Sequence, residues 1–106
     1  MKKANWKINI LSYICLIKRN IVHGDSMEPL LKDGDIVFSK KAQNLRIGDI
    51  VIARHPFRKK EIIKQIASIE SDQYELLGLN DDGSEDSRTF GMVDRKNIVR
   101  VVVRKK

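Results

Sequence analysis

The sequence predicts a small, mostly β, single domain folded as one coiled antiparallel sheet or barrel. Three observations predict it. The chain has 106 residues, enough for one core but not for two. Short β-branched runs recur along it, bounded by Gly, Pro, Asn and Asp. The segments between those runs are short, which favours hairpins over helical crossovers.

Taken in order, residues 6–17 (WKINILSYICLI) are the first apolar stretch. A membrane span needs about 20 apolar residues, and this run is broken by Lys7, Asn9 and Ser12. Lys2 and Lys3 resemble the basic start of a signal peptide, but Lys18 and Arg19 follow the run without a small-residue cleavage site. Residues 1–20 are therefore read as a basic, apolar segment that docks on a body formed by residues 21–106. The alternative is a segment lying on a membrane surface through residues 6–17. The first body strands are Asp35–Ser39 after Gly34 and Asp49–Arg54 after Gly48, each opened by a Gly-Asp turn. Glu61–Ile69, Tyr74–Leu79 and Ile98–Val103 complete five predicted strands. Asn80–Thr89 is polar and irregular.

Composition bounds the function. Hydrophobic residues are 42% and charged residues 33%, which excludes both disorder and a membrane bundle. A single cysteine, Cys15, excludes an internal disulfide, and His23 and His55 are too few for a histidine-rich metal site. The net charge of +7 first points to nucleic acid or an anionic membrane. However, the bases concentrate in residues 1–20 and 95–106, and the body between them is net acidic. The expectation is solvated basic ends, no nucleic-acid partner and a cytoplasmic protein.

Two segments carry candidate chemistry. In Gly24-Asp25-Ser26-Met27-Glu28-Pro29, the spacing of Asp25 and Glu28 fits a capping box at a short helical turn, with Ser26 incidental to it. In Glu61–Ile69, Lys64 shares a strand face with Ile62 and Ile66. If that face is inward, burial lowers the lysine pKa and makes a neutral general base. If Ile63 points inward instead, Lys64 is solvated. The pattern EIIKQIASI is apolar on both faces and leaves this open. A serine needs a base to attack a carbonyl, and a serine with a lysine is the pair this sequence offers.

These segments resemble boxes of the signal peptidase I family. VHGDSMEPLL (22–31) resembles its serine box, EIIKQI (61–66) its lysine box, and GLNDDGSEDSRTFG (78–91) its late box. IVIARHPFRKKEIIKQI and DSRTFGMV are most similar to one small branch, the maturation proteases of nickel-type superoxide dismutase. The resemblance implies a fold of the signal peptidase type and a serine endopeptidase using a Ser/Lys dyad. It implies Ser26 as nucleophile, Lys64 as general base and Ser84 as the residue orienting the lysine amine. Asp86 and Arg88 would form a structural ion pair near the site, while Met27 and Pro29 shape the nucleophile turn. It implies no metal or other cofactor in the protease, and a precursor with an N-terminal leader, that of nickel superoxide dismutase, as partner. Two positions depart from the pattern: Leu79 replaces an Asp, and Gln65 replaces an Arg. Gly24 has no hydroxyl to offer an oxyanion, so backbone N–H groups must serve. The alternatives are a self-cleaving domain like those of SOS repressors, and a non-enzymatic basic binding module.

Overall fold

The structure, a computed structural model, describes residues 17–80 and 85–106. Most of the apolar run, Cys15 and Ser84 lie outside the described residues. The mostly β prediction holds: among the described residues, seven strands form one antiparallel sheet curled into a half-barrel.

In chain order the strands are β1 (Lys18–Ile21), β2 (Ile36–Lys41), β3 (Ile50–Arg54), β4 (Glu61–Glu70), β5 (Gln73–Leu77), β6 (Val93–Asp94) and β7 (Ile98–Lys105). A short helix, α1 (Ser87–Phe90), precedes β6. The spatial order is β1-β2-β7-β3-β4-β5-β6, so the C-terminal strand fills the middle of the sheet. The five predicted strands are present with shifted ends. β1 and β6 lie outside the five predicted strands, and β1 begins at Lys18. Bulges at Phe38/Ser39, Ile52/Ala53 and Ile66/Ser68 add twist.

The two Gly-Asp turns share one construction. Gly34 and Gly48 have φ of 88° and 97°, a region that costs glycine little. The following aspartates cap the turns: Asp35 Oδ2 accepts from Lys32 N and Asp49 Oδ2 from Arg46 N, both at 2.9 Å.

Both faces of the sheet are covered. One cluster holds Val51, Ala53, Ile66, Leu76, Ile98 and Val101, with Ile62 packed against it. The other holds Val22, Met27, Leu31 and Val37, with Ile50, Ile63 and Val102 against it. Neighbours such as Ile62 and Ile63, or Val101 and Val102, thus go to opposite faces, as the pleat requires. This explains why Glu61–Ile69 reads as apolar on both sides.

Candidate active site

The residues around Ser26 form a tight turn without a regular helix. Leu31 N donates to the Met27 carbonyl at 2.9 Å and Glu28 N to the Asp25 carbonyl at 3.1 Å, so the expected helical turn is a single turn held by backbone bonds. The turn is fixed on three sides. Val22 N donates to the Asp35 carbonyl and Gly34 N to the Val22 carbonyl, both at 2.8 Å, which ties its start to the entrance of β2. Met27 is fully buried and plugs the turn into the second cluster. Asn80 N donates to the Ser26 carbonyl at 2.9 Å, and Asn80 Nδ2 to the Asp25 carbonyl at 3.2 Å. Gly24 N donates to Asp33 Oδ1 at 2.7 Å. Pro29 is exposed.

Lys64 lies in the middle of β4, paired with Val51 of β3. It is only 3% exposed, and Ile66 on the same face is 1% exposed. Of the two orientations the sequence left open, Lys64 takes the inward one. Burial pushes its pKa below the usual lysine value. Lys60 and Arg88 push it further down, while Asp86 and Glu85 act against that.

Asp86 is fully buried. Its carboxylate accepts from Gly78 N and Arg88 N, both at 2.9 Å, and from the Arg88 guanidinium. Burial alone would raise its pKa, but these hydrogen bonds outweigh it and hold the carboxyl at about 2. Asp86 also caps α1. Ser87 Oγ accepts from Leu76 N at 2.8 Å. The late segment is therefore strapped along β5, with Asp86 aimed inward.

Ser26 and Lys64 line the same cleft, of about 420 Å³. Its walls include Val37, Ile52, Ile62 and Ile63, and its rim carries Asp25, Lys60, Glu61 and Glu85. The structure thus brings together Ser26 and Lys64, with Asp86 and Arg88 acting on Lys64 through their charge. The departures fall at tolerant places. Leu79 is 39% exposed, and the adjacent Asn80 still pins the serine turn. Gln65 Nε2 donates to the Gly48 carbonyl at 3.1 Å.

The model of the Peptidase S24-like family matches residues 19–103, from β1 through most of β7. The chain belongs to the Peptidase S24-like family. No curated protein matches the chain. Family membership makes it a serine peptidase, a hydrolase, and the matched span includes the whole described cleft.

Sequence reasoning missed Glu85 and the pinning role of Asn80. Glu85 receives Arg58 Nη1 at 3.0 Å and lines the cleft. In the sequence it is one acid in an acidic run. His55 is buried, with Phe90 edge-on to its ring at 4.9 Å between centroids.

Proposed function

We propose that this serine peptidase uses a Ser26/Lys64 dyad to remove the N-terminal leader from a precursor, that of nickel superoxide dismutase. The observation that carries the dyad is the single cleft holding both Ser26 and an inward lysine that is 3% exposed. Neutral Lys64 takes the Ser26 hydroxyl proton, and the serine oxygen attacks the scissile carbonyl. The tetrahedral oxyanion is met by backbone N–H groups of the serine turn other than that of Gly24, which donates to Asp33 Oδ1. Protonated Lys64 then gives its proton to the leaving amine, and water releases the acyl group by the same route in reverse. The leader binds extended beside a sheet edge, so that main-chain hydrogen bonds place the scissile carbonyl.

The substrate rests on the resemblance of IVIARHPFRKKEIIKQI and DSRTFGMV to the maturation branch. In that dismutase the freed N-terminal amine becomes a nickel ligand, which gives leader removal a chemical purpose. The test is co-expression of the precursor with wild-type protein or with Ser26→Ala, reading the dismutase N-terminus by mass spectrometry. Leader loss with the wild type and retention with Ser26→Ala is expected. Retention with both overturns the substrate; loss with both overturns the dyad. The family match favours a second reading, cleavage of a bond within the same chain. Intact mass of the purified protein incubated alone separates the two: a stable mass excludes self-cleavage.

A further inference from the structure

Glu85 gathers three cationic or hydrogen-bearing groups onto one carboxylate. Arg58 Nη1 lies 3.0 Å and Lys60 Nζ 3.7 Å from Oε1, and His55 Nε2 lies 3.6 Å from Oε2. All three partners come from the β3–β4 hairpin, between Arg54 and Glu61. An exposed ion pair of this kind is worth little, but His55 is different. Its side chain is 2% exposed. Its Nδ1 accepts from Phe57 N at 3.1 Å, so the neutral ring carries its hydrogen on Nε2. That nitrogen is buried without a hydrogen-bond partner, and it faces the Glu85 carboxylate. An orphaned buried N–H is costly, so the hairpin draws Glu85 toward it. Phe90 of α1 packs edge-on against the same ring, with centroids 4.9 Å apart.

Glu85 and Asp86 are adjacent but serve opposite sides. Asp86 turns inward to Gly78 and Arg88, and Glu85 turns to the hairpin while lining the cleft beside Lys64. The geometry points to Glu85 as a positioning residue: held by Arg58 and Lys60 and faced by the buried N–H of His55, it fixes the late segment on the hairpin and sets, with Lys60, the charge facing Lys64. This rests on the reading of Lys64 as the general base. Among the described residues, the titratable groups that line the cleft with Lys64 or act on it are Lys60 and Glu61 from the turn before it and its own strand, Glu85, Asp86 and Arg88 from the late segment, and His23 and Asp25 from the serine turn. Glu85 and Lys60 oppose one another in this set. Glu85 favours the ammonium and Lys60 disfavours it.

The experiment is an NMR titration of the Lys64 side chain in the labelled full-length chain, with the signal assigned by its absence in Lys64→Met. Glu85→Gln is expected to move the Lys64 midpoint down by about 0.5 pH unit, and Lys60→Gln up by about as much. The double variant should fall between them. His55→Phe keeps the ring volume but removes the N–H, and should shift the midpoint in the same direction as Glu85→Gln. Unchanged midpoints, or shifts of the opposite sign, overturn the proposal. Because the titration needs no substrate, it stands or falls separately from the co-expression test of the dyad.

Discussion

Ser39 and Lys64 are both buried polar side chains of one sheet, yet their surroundings are opposite. Ser39 is fully buried and its hydroxyl is satisfied twice: it donates to Asn20 Oδ1 and accepts from Arg100 Nε at 2.8 Å. Arg100 Nη2 also donates to the Ser39 carbonyl at 3.0 Å, so three neighbouring strands, β1, β2 and β7, are joined at one point. Lys64 sits instead in a cleft wall among charges of both signs, with its ammonium disfavoured by burial. A satisfied polar group inside a sheet stabilises it. A buried cation that would rather lose its proton weakens the fold but provides a base. The two sites should therefore respond to mutation in opposite ways.

The largest effect tests the catalytic side. Ser26→Ala and Lys64→Ala should each lower cleavage by roughly 10^3-fold or more, and the double variant should be about as inactive as either alone. Lys64→Arg should fail as well, because a guanidinium stays protonated. Lys64→Met should be inactive yet melt higher than wild type. The stability gained is about 1.4 kcal/mol for each pH unit by which burial depresses the lysine. The sign follows from linkage. The folded pKa lies below the unfolded value, so Lys64 costs stability at neutral pH, and the cost is relieved as pH rises through that window. Cleavage should rise with pH on its acid side as Lys64 loses its proton. A profile that falls steadily from pH 6 to pH 9 in a stable protein would remove Lys64 as the base.

Asp86 joins the two behaviours, since it is a satisfied buried group that also acts on the lysine. Asp86→Asn should cost about 2–3 kcal/mol at pH 7, read from urea midpoints. The folded carboxyl titrates at about 2, below the ~3.9 of an unfolded chain. Its contribution is therefore complete above about pH 5 and is lost as pH falls toward 2. The gap between wild type and variant should narrow between pH 5 and pH 3. Where residual cleavage is measurable, its acid limb should move to lower pH, because Asp86 favours the lysine's charged form. A gap independent of pH would mean that the carboxylate's charge is not what holds the late segment.

Legibility followed how local each cause is. The turns at Gly34-Asp35 and Gly48-Asp49 were readable because the glycine conformation and the aspartate cap lie within four residues. β1 was not, because Lys18-Arg19-Asn20-Ile21 has no apolar alternation; its place comes from pairing with β2 and from Asn20 meeting Ser39. β6 is two residues long, too short to leave a pattern. The orientation of Lys64 could not be read from its strand, since both faces of β4 are packed and the choice is made by the register with Val51. Ser26 and Lys64 were found through motif resemblance, whereas Glu85 carries no mark separating it from the acids around it. Its role depends on a hairpin nearly thirty residues earlier in the chain.

The smallest expected effect is at Ser39, and it decides whether the contrast with Lys64 is real. Ser39→Ala removes the hydroxyl that donates to Asn20 Oδ1 and accepts from Arg100 Nε. Arg100 keeps the Ser39 carbonyl, which the substitution does not touch. Asn20 is half-buried and can turn toward water. The loss should therefore be about 1–2 kcal/mol rather than the larger penalty of a fully stranded charge. Ser39 lies on β2 and is not part of the cleft lining. Cleavage per folded molecule, and the pH at which it rises, should stay at wild-type values while the urea midpoint falls. If Ser39→Ala shifts the acid limb of the pH profile, then the β1-β2-β7 network reaches the general base. The sheet would then have to be treated as one coupled polar system rather than a scaffold carrying a separate site.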